Sequence, residues 1–214
     1  MIFILEILGT IAFAFSGAMM AIRKEMDIFG VLILGVTTAV GGGIIRDILL
    51  GQIPPAVFTH PVYVIIAAVI SIALFVWIYI CHGQIRQKGI LILEKIMLYA
   101  DAVGLAVFTV VGVEFAFQLL EKKNMFLSVF VGVLTGVGGG VLRDIMAVQK
   151  PYIFVKHVYA LSSLAGACAC TFLWDSANSK IAVLFGIGIV FILRILAIHL
   201  EWNLPKIKLQ KEEE

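Results

Sequence analysis

The apolar positions of this chain gather into seven long runs, 2–22, 28–50, 60–81, 94–118, 125–147, 156–174 and 180–200, separated by short polar breaks. Pro61 to Cys81 carries no formally charged residue, and neither does Asn124 to Leu142. About 20 apolar residues in a helix span a hydrocarbon core about 30 Å thick. The pattern therefore predicts an all-α membrane protein with seven transmembrane helices. The connections are short, the stretch 203–214 is a polar tail, and no soluble domain is expected.

The polar breaks inside the runs repeat. "GGGIIRD" at Gly41–Asp47 has a twin in "GGGVLRD" at Gly138–Asp144. One shift of 97 takes Gly41 to Gly138, Arg46 to Arg143, Asp47 to Asp144, Pro54 to Pro151 and His60 to His157. Upstream, a shift of 95 takes Glu6 to Asp101, Gly9 to Gly104, Phe13 to Phe108 and Gly17 to Gly112. Helices one to three and four to six thus read as two copies of one unit, with a seventh helix added. The expected organisation is a first repeat over 1–93, a second over 94–175, a seventh helix over 176–202 and the tail 203–214. Three is an odd number of crossings, so the second copy must enter from the opposite side. That is an inverted-topology repeat, an arrangement suited to transport because it builds two similar half-paths.

Positive charge orients the bundle. Arg23, Lys24, Arg86, Lys88, Lys150, Lys156 and the tail lysines fall on one side; Lys122, Lys123 and Lys180 fall on the other. The excess predicts a cytoplasmic C-terminus and an outside N-terminus in the plasma (inner) membrane. With no basic segment or cleavage pattern ahead of it, the first run reads as a retained helix.

Composition agrees. Of 214 residues, 62% are hydrophobic and 14% charged, against about 25% charged in soluble domains. The net charge of +2 gives no reason to expect nucleic acid. Cys81, Cys168 and Cys170 have no paired spacing and read as small apolar residues. No nucleophile elbow, zinc spacing or phosphate loop is present, so neither an enzyme nor a cofactor or metal is predicted.

The glycine–charge segments are the candidate chemistry. Each Gly costs a helix up to about 1 kcal/mol relative to Ala, so Gly41, Gly42 and Gly43, and Gly138, Gly139 and Gly140, predict a kink or an unwound turn. Freed backbone and ionised side chains must face protein or water, not lipid. Arg46 and Asp47 point about 100° apart on a helix. They are expected to pair across the repeats instead, Arg46 with Asp144 or Asp101, and Arg143 with Asp47 or Glu6. Thr38 and Thr135 precede the glycines at matching positions and are candidate lining residues; their hydroxyls could also bond back to their own helices. Glu6 and Asp101 are candidate cation attractors that also complement helix N-terminal dipoles. A packing reading stays open: Gly35, Ala39 and Gly43, like Gly132, Gly136 and Gly140, form small-residue faces that let helices approach closely. An arginine anchored at the membrane interface is a further alternative.

Two copies of GGG-x-x-RD in a chain of three, three and one helices resemble the bacterial and archaeal members of the trimeric intracellular cation channel family, a group also labelled a bacterial glycine-transporter family. The resemblance spans residues 1–202. It implies a homotrimer in contact with membrane lipids, with one path inside each protomer for monovalent cations (K+, Na+), mainly potassium. Kinked second and fifth helices would line that path, with Arg46, Asp47, Arg143 and Asp144 as its charged positions. The expected function is a potassium-permeable channel in which carboxylates attract cations and hydroxyls and carbonyls replace hydration. The alternative is a secondary transporter of a small amino acid such as glycine, bound at broken helices.

Overall fold

The computed structural model describes residues 2–81, 87–119, 124–155, 158–174 and 178–202. The tail 203–214, His157 and several of the orienting charges (Arg86, Lys122, Lys123 and Lys156) lie outside the described residues. The regular structure of the described residues is all helical: α1 (Ile2–Arg23), α2 (Ile28–Leu49), α3 (Ala56–Thr59), α4 (Val62–Cys81), α5 (Gln87–Leu119), α6 (Met125–Met146), α7 (Tyr152–Val155), α8 (Tyr159–Leu173) and α9 (Ser179–His199). Six of these, α1, α2, α4, α5, α6 and α9, are long and apolar enough to cross a membrane. The run expected to be helical over 156–174 is shorter in the fold. It starts at Tyr159, after Val158 in the left-handed region with φ of 47°, and its 15 residues rise about 22 Å.

Local sequence sets the helix ends. Asp27 caps α2 by accepting from the Gly30 N–H at 2.7 Å, and Asn124 caps α6 by accepting from Leu127 N–H at 3.0 Å. Asn178 does the same for α9. Such caps satisfy backbone donors that the first helical turn leaves without partners. The connections after α2 and α6 each fold into one turn of helix, α3 and α7. These two turns lie beyond the long apolar runs.

Helix α5 is the centre of the bundle: 72% of its apolar window is buried, against 17% for α4. Helix α4 turns Ile65, Val69, Ile72, Val76 and Trp77 outward. In water that would be an exposed apolar stripe; in a bilayer such a face meets lipid or another protein surface. The core is made by two antiparallel crossings. Helices α1 and α5 meet with the face of Gly9 against Phe108 and the face of Gly104 against Phe13, the two rings 5.3 Å apart. Helices α2 and α6 meet with Gly42 against the Thr135 carbonyl and Gly139 against the Thr38 carbonyl. Both contacts are reciprocal: each glycine touches the sequence equivalent of the residue four places away on its own helix.

That second crossing corrects one half of an expectation, the unwound turn. Helix α2 runs unbroken through Gly41–Gly43, and α6 runs unbroken through Gly138–Gly140. No turn unwinds. At Gly42 and Gly139 a Cβ would collide with the opposite backbone. The absent side chains let two helices pack backbone to backbone. This interhelical contact offsets the propensity cost that would otherwise loosen the helix.

Candidate functional site

Beyond the glycine crossing, each of the two helices carries its Arg–Asp pair into a cluster of buried charge. Because α2 and α6 are antiparallel, the two clusters lie on opposite sides of the crossing.

The first cluster forms around Arg46, whose side chain is 5% exposed. Its Nε donates to Asp47 Oδ1 at 2.9 Å, and its second terminal nitrogen lies 2.8 Å from the same oxygen. The other terminal nitrogen is 3.9 Å from Glu6 on α1, and the guanidinium sits 4.0 Å over the ring of Phe115 on α5. Glu6 also accepts from the Tyr63 hydroxyl at 2.5 Å. Asp47 Oδ2 accepts from the Ala56 N–H at 2.8 Å and so starts α3. A small cleft of about 50 Å³ opens here; Glu6, Thr10, Gly43, Arg46, Asp47 and Tyr63 are among the residues that line it.

The second cluster forms around Arg143, which is fully buried. Its Nε donates to Asp144 Oδ1 at 2.9 Å, and one terminal nitrogen donates to Asp101 on α5 at 2.5 Å and to Ser16 on α1 at 2.6 Å. Asp144 Oδ2 accepts from the Tyr152 N–H at 2.8 Å and so starts α7, as Asp47 starts α3. Tyr159 stands beside Asp101. Arg194 of α9 comes within 3.9 Å of Asp101 and lies 4.5 Å over the Tyr159 ring. At the start of the short helix α7, burial pushes the Tyr152 phenol above its ordinary range while the Arg143 charge opposes the shift.

The pairing differs from the one expected. Each arginine takes both of its carboxylates from its own copy: Asp47 and Glu6, or Asp144 and Asp101. From the other copy it takes a neutral partner, Phe115 or Ser16. Neighbours 100° apart can pair because the long arginine stem swings round the last helical turn to reach the next carboxylate. That fold-back also leaves the outer oxygen of each aspartate free to cap the next helix.

Of the candidate residues, Glu6, Gly43, Arg46 and Asp47 converge at the first cluster, and Asp101, Gly140, Arg143 and Asp144 at the second. Gly41, Gly42, Gly138 and Gly139 instead make the crossing, where Gly41 faces Leu142. Thr38 and Thr135 donate back to Leu34 and Val131 of their own helices, each at 2.6 Å, and pack on Gly17 and Gly112. Neither hydroxyl reaches the cleft.

Three members were missed from sequence. Tyr63 and Tyr159 are equivalents at a shift of 96, hidden because the second copy lacks a match for Pro61. Arg194 is a single charge inside the apolar stretch "GIVFILRILAIHL", and that alone marks it.

Comparison with known proteins places this architecture. A family model described as glycine transporter matches residues 3–79 and 98–175, the two copies in turn. The chain is 37% identical over 214 residues to the UPF0126 inner membrane protein YadS of Escherichia coli K12, covering 99% of this chain and 98% of that one. The membrane protein YvgT of Bacillus subtilis is 33% identical over 94% of both chains. Among solved structures, a TRIC cation channel studied for its conductance superposes with a TM-score of 0.83 at 38% identity over 98% of each chain. The trimeric intracellular cation channel orthologue of Rhodobacter sphaeroides gives 0.80 at 31% identity, covering 92% of this chain and 97% of that one. The fold is that of a channel-forming helical membrane protein, and its relatives are channels and transporters, not enzymes. The chain belongs to the TRIC cation-channel family, the UPF0126 membrane proteins.

Proposed function

We propose that this chain is a potassium-permeable channel of the plasma (inner) membrane, working as a homotrimer with one path for monovalent cations inside each protomer. In this reading residues 1–93 and 94–175 are inverted three-helix repeats, α8 completes the second, and 176–202 adds a seventh crossing. The N-terminus lies outside. The path runs along α2 and α6, the second and fifth crossings, between the Arg46 and Arg143 clusters. The reciprocal contacts of α1 with α5 and of α2 with α6 support the inverted pairing.

The observation that carries the reading is the cleft at Arg46. Two carboxylates, a phenol and a threonine meet there among apolar neighbours such as Ala39, Ile44 and Phe108, in a bundle of otherwise apolar helices. Glu6 and Asp47 outweigh Arg46 by one negative charge, so the cleft attracts cations and repels anions. The solved relatives conduct cations, and that favours a channel over the glycine transporter named by the family model. The test is reconstitution of the full chain in a planar bilayer with KCl, beside vesicles loaded with labelled glycine. Discrete current steps reversing near the potassium potential are expected. Saturable glycine counterflow without steps would replace the channel reading with the transporter.

A further inference from the structure

The two charge clusters differ by one helix that has no counterpart. At the first, Arg46, Asp47 and Glu6 sum to a formal charge of −1, and the Glu6 side chain is 19% exposed to the cleft. At the second, the equivalent trio Arg143, Asp144 and Asp101 also sums to −1, with a tyrosine beside the acid as at the first. There α9 inserts Arg194, 1% exposed, and brings the sum to zero. Its terminal nitrogen stands 3.9 Å from Asp101 Oδ2. That oxygen is buried, and no donor among the described residues meets it in good hydrogen-bond geometry, although the Tyr159 hydroxyl stands beside the same carboxylate. Arg194 therefore compensates Asp101 at ion-pair distance, without a direct hydrogen bond to that oxygen, while its guanidinium rests on the Tyr159 face.

We propose that Arg194 is a tethered counter-ion: at the Arg143 cluster it takes the place that a hydrated monovalent cation takes at the Arg46 cluster. The inference rests on the channel reading above and deepens it. A cation passing the second cluster competes with Arg194 for Asp101 Oδ2, because two cations there leave a buried excess of positive charge. Passage then requires the guanidinium to slide off Tyr159. The seventh helix thus sets how readily that half of the path opens.

The charge sum yields an ordered test in single-channel recordings of the full chain in KCl. Arg194→Gln makes the second cluster −1, and open probability rises about fivefold or more. Asp101→Asn makes it +1, and open probability falls. The double variant Asp101→Asn/Arg194→Gln is neutral and returns towards wild type. Arg194→Lys keeps the charge and stays near wild type. A merely structural arginine predicts otherwise: both single changes lower activity and the double is no better. That pattern, or an unchanged Arg194→Gln, overturns the inference. If Arg194→Gln does not assemble as judged by size-exclusion chromatography, the neutral double variant decides. It must assemble and open like wild type, and failure to do so sinks the idea. A wild-type chain without current steps sinks the channel reading instead, so the two failures are distinguishable.

Discussion

The Arg46 and Arg143 clusters are assembled from equivalent residues, yet one is open and the other sealed. Arg46 has a cleft at its side, and its acid partner Glu6 is partly exposed to it. Arg143, Asp101 and Asp144 are at most 1% exposed, and Tyr159 and Arg194 close over them. The difference teaches that a duplicated motif does not carry its own solvation. The residues that do not repeat set it: Ser16 against Phe115, and Arg194 against an open mouth.

The sharpest way to break the comparison is to remove each arginine. Arg143→Ala leaves two carboxylates in a dry site with the Tyr152 N–H and Gln149 on Asp144 and Arg194 at 3.9 Å from Asp101, and losing one partner of a buried pair costs about 3–5 kcal/mol. The expected outcome is little folded protein in thermal melts of the detergent-solubilised chain. Arg46→Ala leaves Glu6 partly exposed and bonded to Tyr63, and Asp47 still bonded to the Ala56 N–H, so its loss is about 1.5–3 kcal/mol. Equal melting temperatures for the two variants would show that the contrast in burial has no energetic meaning.

The glycines give the next effect. Gly42→Ala and Gly139→Ala drive a methyl into the opposite backbone, and overpacking of this kind costs about 1–3 kcal/mol. Gly43→Ala meets nothing nearer than an Arg46 nitrogen at 3.9 Å. It is expected to melt like wild type while altering conductance, because it narrows the cleft. A Gly43→Ala protein as unstable as Gly42→Ala would remove the distinction between crossing glycines and cleft glycine.

Tyr63→Phe removes the 2.5 Å hydrogen bond to Glu6. A bond to a charged group is worth about 1.5–3 kcal/mol, at the low end where water can replace the donor as it can in this cleft. Changed cation conductance with a nearly unchanged melt is the outcome to look for. The smallest effect serves as a control for equivalence. Asp27→Ala and Asn124→Ala each remove one N-cap bond, worth about 1 kcal/mol. Both caps lie outside the charge clusters, so equal shifts in the two halves are expected.

Much of the fold was legible in the residue pattern, because in lipid an apolar run can satisfy its backbone only as a helix. Six of the expected runs match long apolar helices to within a few residues, apart from α5, which begins seven residues ahead of the expected 94; the sixth run, 156–174, appears as the shorter α8. The candidate charges were legible for the same reason: Arg46, Asp47, Asp101, Arg143 and Asp144 stand out where hydrocarbon disfavours them. Less could be read about their partners. Helical angle alone argued against pairing Arg46 with Asp47, because the angle says nothing of how far an arginine stem can swing. The triple glycines predict a kink or an unwound turn because their propensity is visible in the chain and the opposing backbone is not.

The sequence by itself determined the apolar crossings, the duplicated unit and the need to shelter its ionised side chains, all of which follow from the cost of polar groups in lipid. Tertiary structure alone decided that the glycines pack against each other, that each arginine keeps the acids of its own copy, and that α9 closes one cluster while the other stays open. Those outcomes depend on distances between segments far apart in the chain: the contact of Arg143 with Ser16 spans 127 positions, and no local pattern encodes it.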